Sequence, residues 1–292
     1  MSPRAALADR FAAARPRLLR LAYSQLGDLG EAEDVVQEAW LRLERAGAES
    51  VEDLDAWLTT VVGRLALDAL RSARARRERY VGPWLPEPLV SNCSGDPAER
   101  VTLDESVSYA LLAVLEQLSP AERTAFVLHD IFDVPFGEVA ETVGRSPQAV
   151  RQLASRARRH VAGHSPRFDA SPDEHDRAVR AFAHAVAQGD LDCLLAVLDP
   201  DVVWTSDGGG RATASRAPIS GARRVGRAWV ALGRTAAEQA TLIELNGRLG
   251  LLLPGTDGHR SVLSFQVDGG RIVRIDVVRN PEKLRRVGPL QG

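Results

Sequence analysis

The chain has 292 residues, 37 of them basic and 39 acidic, with a formal net charge of −2 and 45% hydrophobic residues. That length accommodates about two domains with separate cores, and the balanced charge excludes a protein that binds nucleic acid through its overall field. The two cysteines, Cys93 and Cys193, fit neither a disulfide framework nor a metal cluster, and with no apolar signal core and no run near the ~20 residues that span a bilayer a cytoplasmic, membrane-free protein is expected.

Charge is segregated locally. Glu31–Asp55 holds nine acids against Arg42 and Arg45, whereas Arg71–Arg79 holds five arginines against Glu78. Residues 10–80 read as helical throughout. Phe11, Leu18, Leu19, Ala22 and Leu26 give a first amphipathic helix ending near Gly27. Glu31–Leu43 is a second, with Val35, Val36, Ala39, Trp40 and Leu43 on its apolar side and Glu33, Asp34, Gln37 and Glu38 opposite. A third, Ala56–Arg79, is capped by Asp53 or Asp55, begins apolar and ends as a basic rod. Residues 81–105 carry proline and glycine without a helical period and form a linker. Its WLPEPLV stretch, Trp84–Val90, is too apolar for free chain and is expected to dock on a folded surface.

Residues 101–130 form two helices, the second started by Ser119-Pro120-Ala121-Glu122 as cap, first-turn proline and N3 glutamate. These helices are expected to pack with Phe136–Val161 as a four-helix unit. Phe136, Val139, Ala140 and Val143 make one apolar stripe, Gly144 ends that helix, and Ser146-Pro147 starts the next. The second helix buries Ala149, Val150, Leu153 and Ala157 and carries four arginines in nine residues, with no acid among them. This is the helix-turn-helix plan, in which Ser146, Gln148, Arg151 and Gln152 lie nearest base edges and later arginines such as Arg156 nearest phosphates.

After a second linker at 164–172 the pattern changes. A helix over 173–187 and a short one at Leu191–Leu198 precede a strand at Val202–Thr205, a turn-forming Asp207–Arg211 loop and a helix at Ala222–Leu232. Three β-rich runs follow, the last two joined at Asp268-Gly269-Gly270. The expectation is a small α+β domain with a curled antiparallel sheet around a cone-shaped pocket.

These segments resemble a known family. AEDVVQEAWLRL and AWLTTVVGRLALDALRSARAR resemble region 2 of extracytoplasmic-function (ECF) sigma factors, and residues 106–161 resemble region 4. Residues 173–285 resemble a SnoaL-like domain of the ketosteroid-isomerase fold, an extension some ECF sigma factors carry together with WLPEPLV, DGGGR and NPxKL motifs. The implied architecture is multidomain: region 2 over 8–80, the linker over 81–105, region 4 over 106–163 and the α+β cone over 173–286.

The resemblance implies a sigma factor whose partners are core RNA polymerase, through its β′ clamp helices and β subunit, and promoter DNA. Asp34, Gln37, Glu38 and Trp40 match the polymerase-binding helix. Arg64, Asp68, Arg71, Arg74 and Arg77 match the segment that handles the −10 element, although Gly63-Arg64 stands where many relatives have Arg-Asn. Ser146, Gln148, Arg151, Gln152 and Arg156 match the −35 reader.

In the C-terminal domain no base and oxyanion hole assemble from the sequence: its segment has no tyrosine, and His184, on the apolar side of the first helix, either faces the pocket or packs in the core. No catalytic residue, metal or cofactor is assigned. A regulatory role is expected, in which Trp84 and Pro86 of the linker, Asp207, Gly209 and Arg211 of DGGGR, and Asn280, Pro281, Lys283 and Leu284 of NPEKL form the interdomain contact. A small ligand in the SnoaL-like pocket is a further partner, which the sequence does not name. The alternatives are a stand-alone helix-turn-helix repressor and a helix-turn-helix regulator fused to a small-molecule-binding or isomerase-like domain.

Overall fold

The computed structural model describes residues 3–47, 53–77, 80–90, 107–164, 170–232, 239–255 and 257–288, with side chains omitted at 3, 74–77 and 164. The chain forms two compact units. One is built from residues 3–77 and 114–161, the other from 80–90, 107–113 and 162–288. Residues 91–105 of the expected linker, with Cys93, lie outside the described residues.

In the helical unit, α1 (Pro3–Leu26), α2 (Leu29–Ala46) and α3 (Leu54–Arg77) pack on one another. Their interface is the stripe read from periodicity: Leu18, Ala22, Leu26, Val36, Ala39, Leu43, Leu58 and Val62 are all buried. Asp28 accepts from the Glu31 N–H at 2.9 Å and caps α2, and Asp53 rather than Asp55 caps α3 through the Ala56 N–H. Helix α4 (Tyr109–Leu115) spans the boundary between the units. Helix α5 (Pro120–Phe126) begins with a complete capping box of Ser119 and Glu122. It runs into a π-helical turn at Val127–Ile131, which periodicity did not suggest. Helices α6 (Phe136–Val143) and α7 (Pro147–His164) follow.

The segments from α5 to α6 pack against α1 and α3 rather than closing a separate four-helix unit. Two features bring them there. Arg123, 2% exposed, pairs with Glu116 and donates to the Ser24 carbonyl at 3.4 Å, while the Thr124 hydroxyl donates to the Gln25 amide oxygen at 3.0 Å. Gly63 in α3 supplies the space: a Cβ there would lie 2.9 Å from Thr142 Cγ2 and 3.3 Å from Leu128 Cδ1.

The second unit holds α8 (Pro172–Gln188), α9 (Leu191–Val197), α10 (Ala222–Leu232) and a six-stranded sheet in the order β2-β1-β6-β5-β4-β3. Its strands are β1 (Leu198–Asp207), β2 (Ile219–Ser220), β3 (Thr241–Leu245), β4 (Arg248–Leu253), β5 (Ser261–Asp268) and β6 (Arg271–Val278). The sheet is mixed, not purely antiparallel, because β1 pairs in parallel with β6. The connection from β1 to β6 runs through β2, α10 and three antiparallel strands, so the parallel pairing leaves no local signal around β1.

Every residue of β5 from Ser261 to Val267 is buried, as expected for a strand covered on both faces. On one face Phe182, Trp204, Trp229 and Phe265 pack as an aromatic cluster with ring centroids 5.0–5.4 Å apart. On the other, Ile243, Leu245, Leu252, Val262 and Val278 are covered by Leu85, Tyr109, Leu284 and Val287. The WLPEPLV stretch therefore forms part of this unit's core. Its end is tied to the sheet: Val90 bridges Leu245, and the Leu89 N–H and C=O bond the Asn246 side chain and N–H at 3.1 and 2.9 Å.

Candidate functional site

The helix-turn-helix is built as its residues dictate. Gly144 takes φ 71°, a left-handed conformation natural to glycine, and its N–H closes on the Ala140 carbonyl at 2.9 Å. Ser146 then accepts from the Ala149 N–H at 3.3 Å, and α7 buries Val150, Leu153, Ala154 and Ala157. Ser146, Gln148, Arg151, Gln152, Ser155, Arg156 and Arg159 are left exposed along one side. Arg151 lies over the Phe136 ring, 5.4 Å from its centroid, which orients the guanidinium without neutralising it. Arg156 and Arg158 are engaged: their Nε atoms pair with Glu122 at 2.8 Å and Asp130 at 2.5 Å. The sequence reads these arginines as uniformly available, because acids 28 and 34 positions upstream leave no local trace.

On α2, Asp34 and Gln37 are exposed, and Glu38 pairs with Arg42 one turn on at 3.0 Å. Trp40 is half-buried against Phe11, with centroids 5.0 Å apart, so most of its ring serves the α1–α2 packing. Leu41, 37% exposed, shares the face of Asp34, Gln37 and Glu38 by helical spacing and was passed over in the sequence. On α3, Arg64 donates to the Glu141 carbonyl at the end of α6 at 3.0 Å, and Arg71 pairs with Asp68 at 3.1 Å. The side chains of Arg74 and Arg77 lie outside the described residues.

Three short motifs far apart in sequence meet in the α+β unit around one carboxylate. Asp207, 0% exposed, accepts four hydrogen bonds. Its Oδ1 takes the Tyr80 hydroxyl at 2.6 Å and the Gly209 N–H at 3.0 Å; its Oδ2 takes the Leu85 N–H at 2.9 Å and Lys283 Nζ at 2.7 Å. Lys283, 6% exposed, also donates to the Leu85 carbonyl and sits 3.7 Å from the Trp84 ring centroid. The Asn280 amide donates to the Tyr80 hydroxyl at 2.7 Å. Gly209, at φ 60°, lies so close to Asn280 that a Cβ would collide with its amide. Burial first, then the Asp207 carboxylate, hold the Tyr80 phenol far above its ordinary pKa.

Of the remaining motif residues, Arg211 pairs with Glu282 at 2.8 Å on the surface. The carbonyl of buried Pro86 accepts from the Tyr109 hydroxyl at 3.0 Å, Pro281 is half-buried and Leu284 is buried. Tyr80, Tyr109 and Asn246 are the participants missed in the sequence. Both tyrosines stand upstream of the apparent domain, so a count of tyrosines within 173–292 could not find them.

His184 is exposed, which overturns both of its expected placements; the buried stripe of α8 runs through Ala178, Val179, Phe182, Ala185 and Val186 and leaves position 184 outside. The buried histidine is His175, whose Nε2 lies 2.9 Å from the Leu249 carbonyl. Burial, reinforced by the Arg248 charge, lowers its pKa despite that carbonyl and Asp176. The unfolded chain then binds a proton near pH 6.5 that the folded one refuses, so stability falls as pH drops below about 6.5. Thermal melts should show this loss between pH 7 and pH 5.5, and His175→Gln should diminish it; equal slopes in both proteins would refute the assignment.

Two helical segments, one ending in an exposed arginine-bearing recognition helix, together with an α+β domain that holds the intervening chain on its sheet, define a DNA-reading transcription protein with an appended domain. A family model for sigma-70 region 2 matches residues 11–76, and one for sigma-70 region 4 matches residues 108–161. The ECF RNA polymerase sigma factor SigJ of Mycobacterium tuberculosis is 42% identical over 291 residues, covering 94% of this chain and 92% of that protein. A second M. tuberculosis protein, bearing the name "Probable ECF RNA polymerase sigma factor SigI", is 39% identical over 272 residues and 92% of each chain. The crystal structure of M. tuberculosis SigJ matches with a TM-score of 0.79 at 38% identity, covering 97% of this chain and 100% of that one. The chain belongs to the ECF RNA polymerase sigma factors. Among the described residues, no helix is long and apolar enough to cross a membrane.

Proposed function

We propose that the chain directs core RNA polymerase to one promoter class, with α7 reading the −35 element, α3 handling the −10 element and the α+β unit governing when both engage. The observation that carries the promoter reading is the face of α7, where Gln148, Arg151 and Gln152 are exposed behind a glycine-closed turn. Polymerase docks through the acidic face of α2, with Asp34, Gln37 and Glu38 around Leu41; charges there set encounter and register, and the leucine supplies apolar contact. In vitro transcription with core polymerase and a library of −35/−10 promoters tests this reading. Failure to initiate from any promoter would overturn it.

Arg151→Ala is expected to cost about 1–3 kcal/mol and to relax preference at one −35 position. A uniform loss across sequences would make Arg151 a phosphate contact instead. Arg156→Ala should alter base preference less, since Glu122 already holds that guanidinium.

The control function rests on where the connecting chain is anchored. Segment 80–90 follows region 2, segment 107–113 holds the start of region 4, and both belong to the α+β unit. Releasing both anchored segments would lengthen the tether between the two promoter grips. Polymerase and promoter need only a few kcal/mol of differential affinity to drive that release.

The domain serves as a regulator, not a catalyst. Asp207 has its ≈ four lone-pair sites filled and is not free to act as a base, and the interior of the cone is packed with Phe182, Trp204, Trp229 and Phe265. Comparing full-length chain with variants lacking 284–292 or 173–292 tests regulation, and equal transcription from all three would remove it.

A further inference from the structure

The α+β unit contains a cavity of about 180 Å³ that borders the aromatic interior of the cone at Phe265 and is lined by none of its other three rings. Ser108 and the first turn of α4, Tyr109–Leu111, form one side, and Arg248, His175, Ser264 and Gln266 contribute polar groups to the others. Leu249 and Phe265 help to line it with apolar surface. Arg248 Nη1 is buried and has no hydrogen-bond partner. A guanidinium N–H in that position is met best by a carboxylate, which accepts a pair of parallel hydrogen bonds.

The neighbouring groups leave that role open. Among the described residues lining the cavity there is no Asp or Glu. The nearby buried carboxylate, Asp276, is already held by Arg274 Nε at 2.8 and 2.9 Å. Gln266 and Ser264 stand across the ladder from Arg274 and Asp276, so they occupy the same polar strip of the sheet. The size sets a limit as well: a cavity of about 150 Å³ takes benzene, whereas drug-sized ligands need upwards of about 300 Å³.

We infer that this cavity is a binding site for a small monocarboxylate of about benzoate size, with Arg248 holding the carboxylate and the apolar lining taking the ring or branched tail. Such a ligand would touch both Ser108–Leu111 and the sheet, and so fasten the first residues of region 4 onto the α+β unit. Binding needs no polymerase or DNA, so its failure would leave the promoter reading intact, and the failure of that reading would leave binding intact.

The test is titration calorimetry of the full-length chain with benzoate, phenylacetate and 3-methylbutanoate, using benzamide as the uncharged isostere of benzoate. Saturable binding of at least one acid is expected, with benzamide at least ~10-fold weaker than benzoate. Arg248→Gln should weaken the acid at least ~10-fold, and Arg248→Lys, which keeps the charge but loses the fork, should fall between. Ala110→Phe should block binding, while Arg227→Gln, at an exposed position of α10, should leave it unchanged. Hydrogen exchange at 107–113 should slow with ligand. The inference is overturned by equal affinity for benzoate and benzamide, by undiminished affinity in both Arg248 variants that fold, by binding in Ala110→Phe, or by no saturation with any of the acids at roughly 10 mM.

Discussion

Asp207→Ala is expected to destabilise the α+β unit by about 3–5 kcal/mol, the usual cost of removing one partner from a buried ion pair. The substitution strands Lys283 beside Trp84 without its carboxylate and removes the acceptor for the Leu85 and Gly209 N–H groups and the Tyr80 hydroxyl. Lys283→Met should cost less. Asp207 would keep three neutral donors, and the methionine would still fill the space over Trp84. In a unit of this size each kcal/mol moves Tm by roughly 2–4 °C, so Asp207→Ala should lower the melting temperature on the order of 10 °C. Hydrogen exchange should accelerate first at residues 80–90. A melting point within about 2 °C of the parent, with unchanged exchange there, would show that the ion pair does not hold the linker. If the linker is released, transcription should become less dependent on the C-terminal domain.

Gly63→Leu is expected to separate α3 from α6 and the π-helical turn. Two effects oppose each other at this position. Any other residue gains up to about 1 kcal/mol of helix propensity over glycine. Against that, a Cβ would lie 2.9 Å from Thr142 Cγ2, and Thr142 is buried with its hydroxyl bonded to the Glu138 carbonyl at 3.1 Å. Overpacking of this kind costs about 1–3 kcal/mol, so Gly63→Ala should be near neutral and Gly63→Leu clearly destabilising to the contact. Amide protection around Leu128 and Thr142 should fall about 10–100-fold in the leucine variant, at ~1.4 kcal/mol per tenfold. The separation also frees Arg64 from the Glu141 carbonyl, and the variant should bind a single-stranded −10 probe more tightly. Unchanged protection together with unchanged probe binding would show that this packing does not restrain α3.

Much of this molecule was legible in local pattern. The stripe of α1 and α2, the Ser119–Glu122 capping box and the glycine-closed turn before α7 follow from residues within a few positions of one another. So does the Gly269-Gly270 hairpin, whose residues take φ 54° and 73°. Helix ends shifted by only a few residues: Glu31–Leu43 became Leu29–Ala46, and 173–187 became Pro172–Gln188. The WLPEPLV, DGGGR and NPEKL stretches stand out as motifs, and the hydrophobicity of the first marks it as docked chain.

Their chemistry was not legible. The four bonds to Asp207 join residues separated by 127, 122, 76 and 2 positions, and only the last is local. The parallel pairing of β1 with β6, the exposure of His184 and the burial of His175 depend likewise on how the closed sheet presents each face. Gly63 enters the sequence reading only as a departure from the Arg-Asn of many relatives, and its use appears only when Thr142 arrives from 79 positions away.

Apart from the π-helical turn and β2, the sequence alone therefore determined which elements form, the order of the two sigma-factor regions and the presence of an appended α+β domain, since each rests on short-range periodicity, capping and turn chemistry. The tertiary structure decided which chain belongs to which unit: residues 80–90 and 107–113 join the α+β sheet because their apolar side chains cover a face that would otherwise meet water. It also decided which charges remain available, because a buried carboxylate takes whatever donors the fold brings within reach, whatever their distance along the chain.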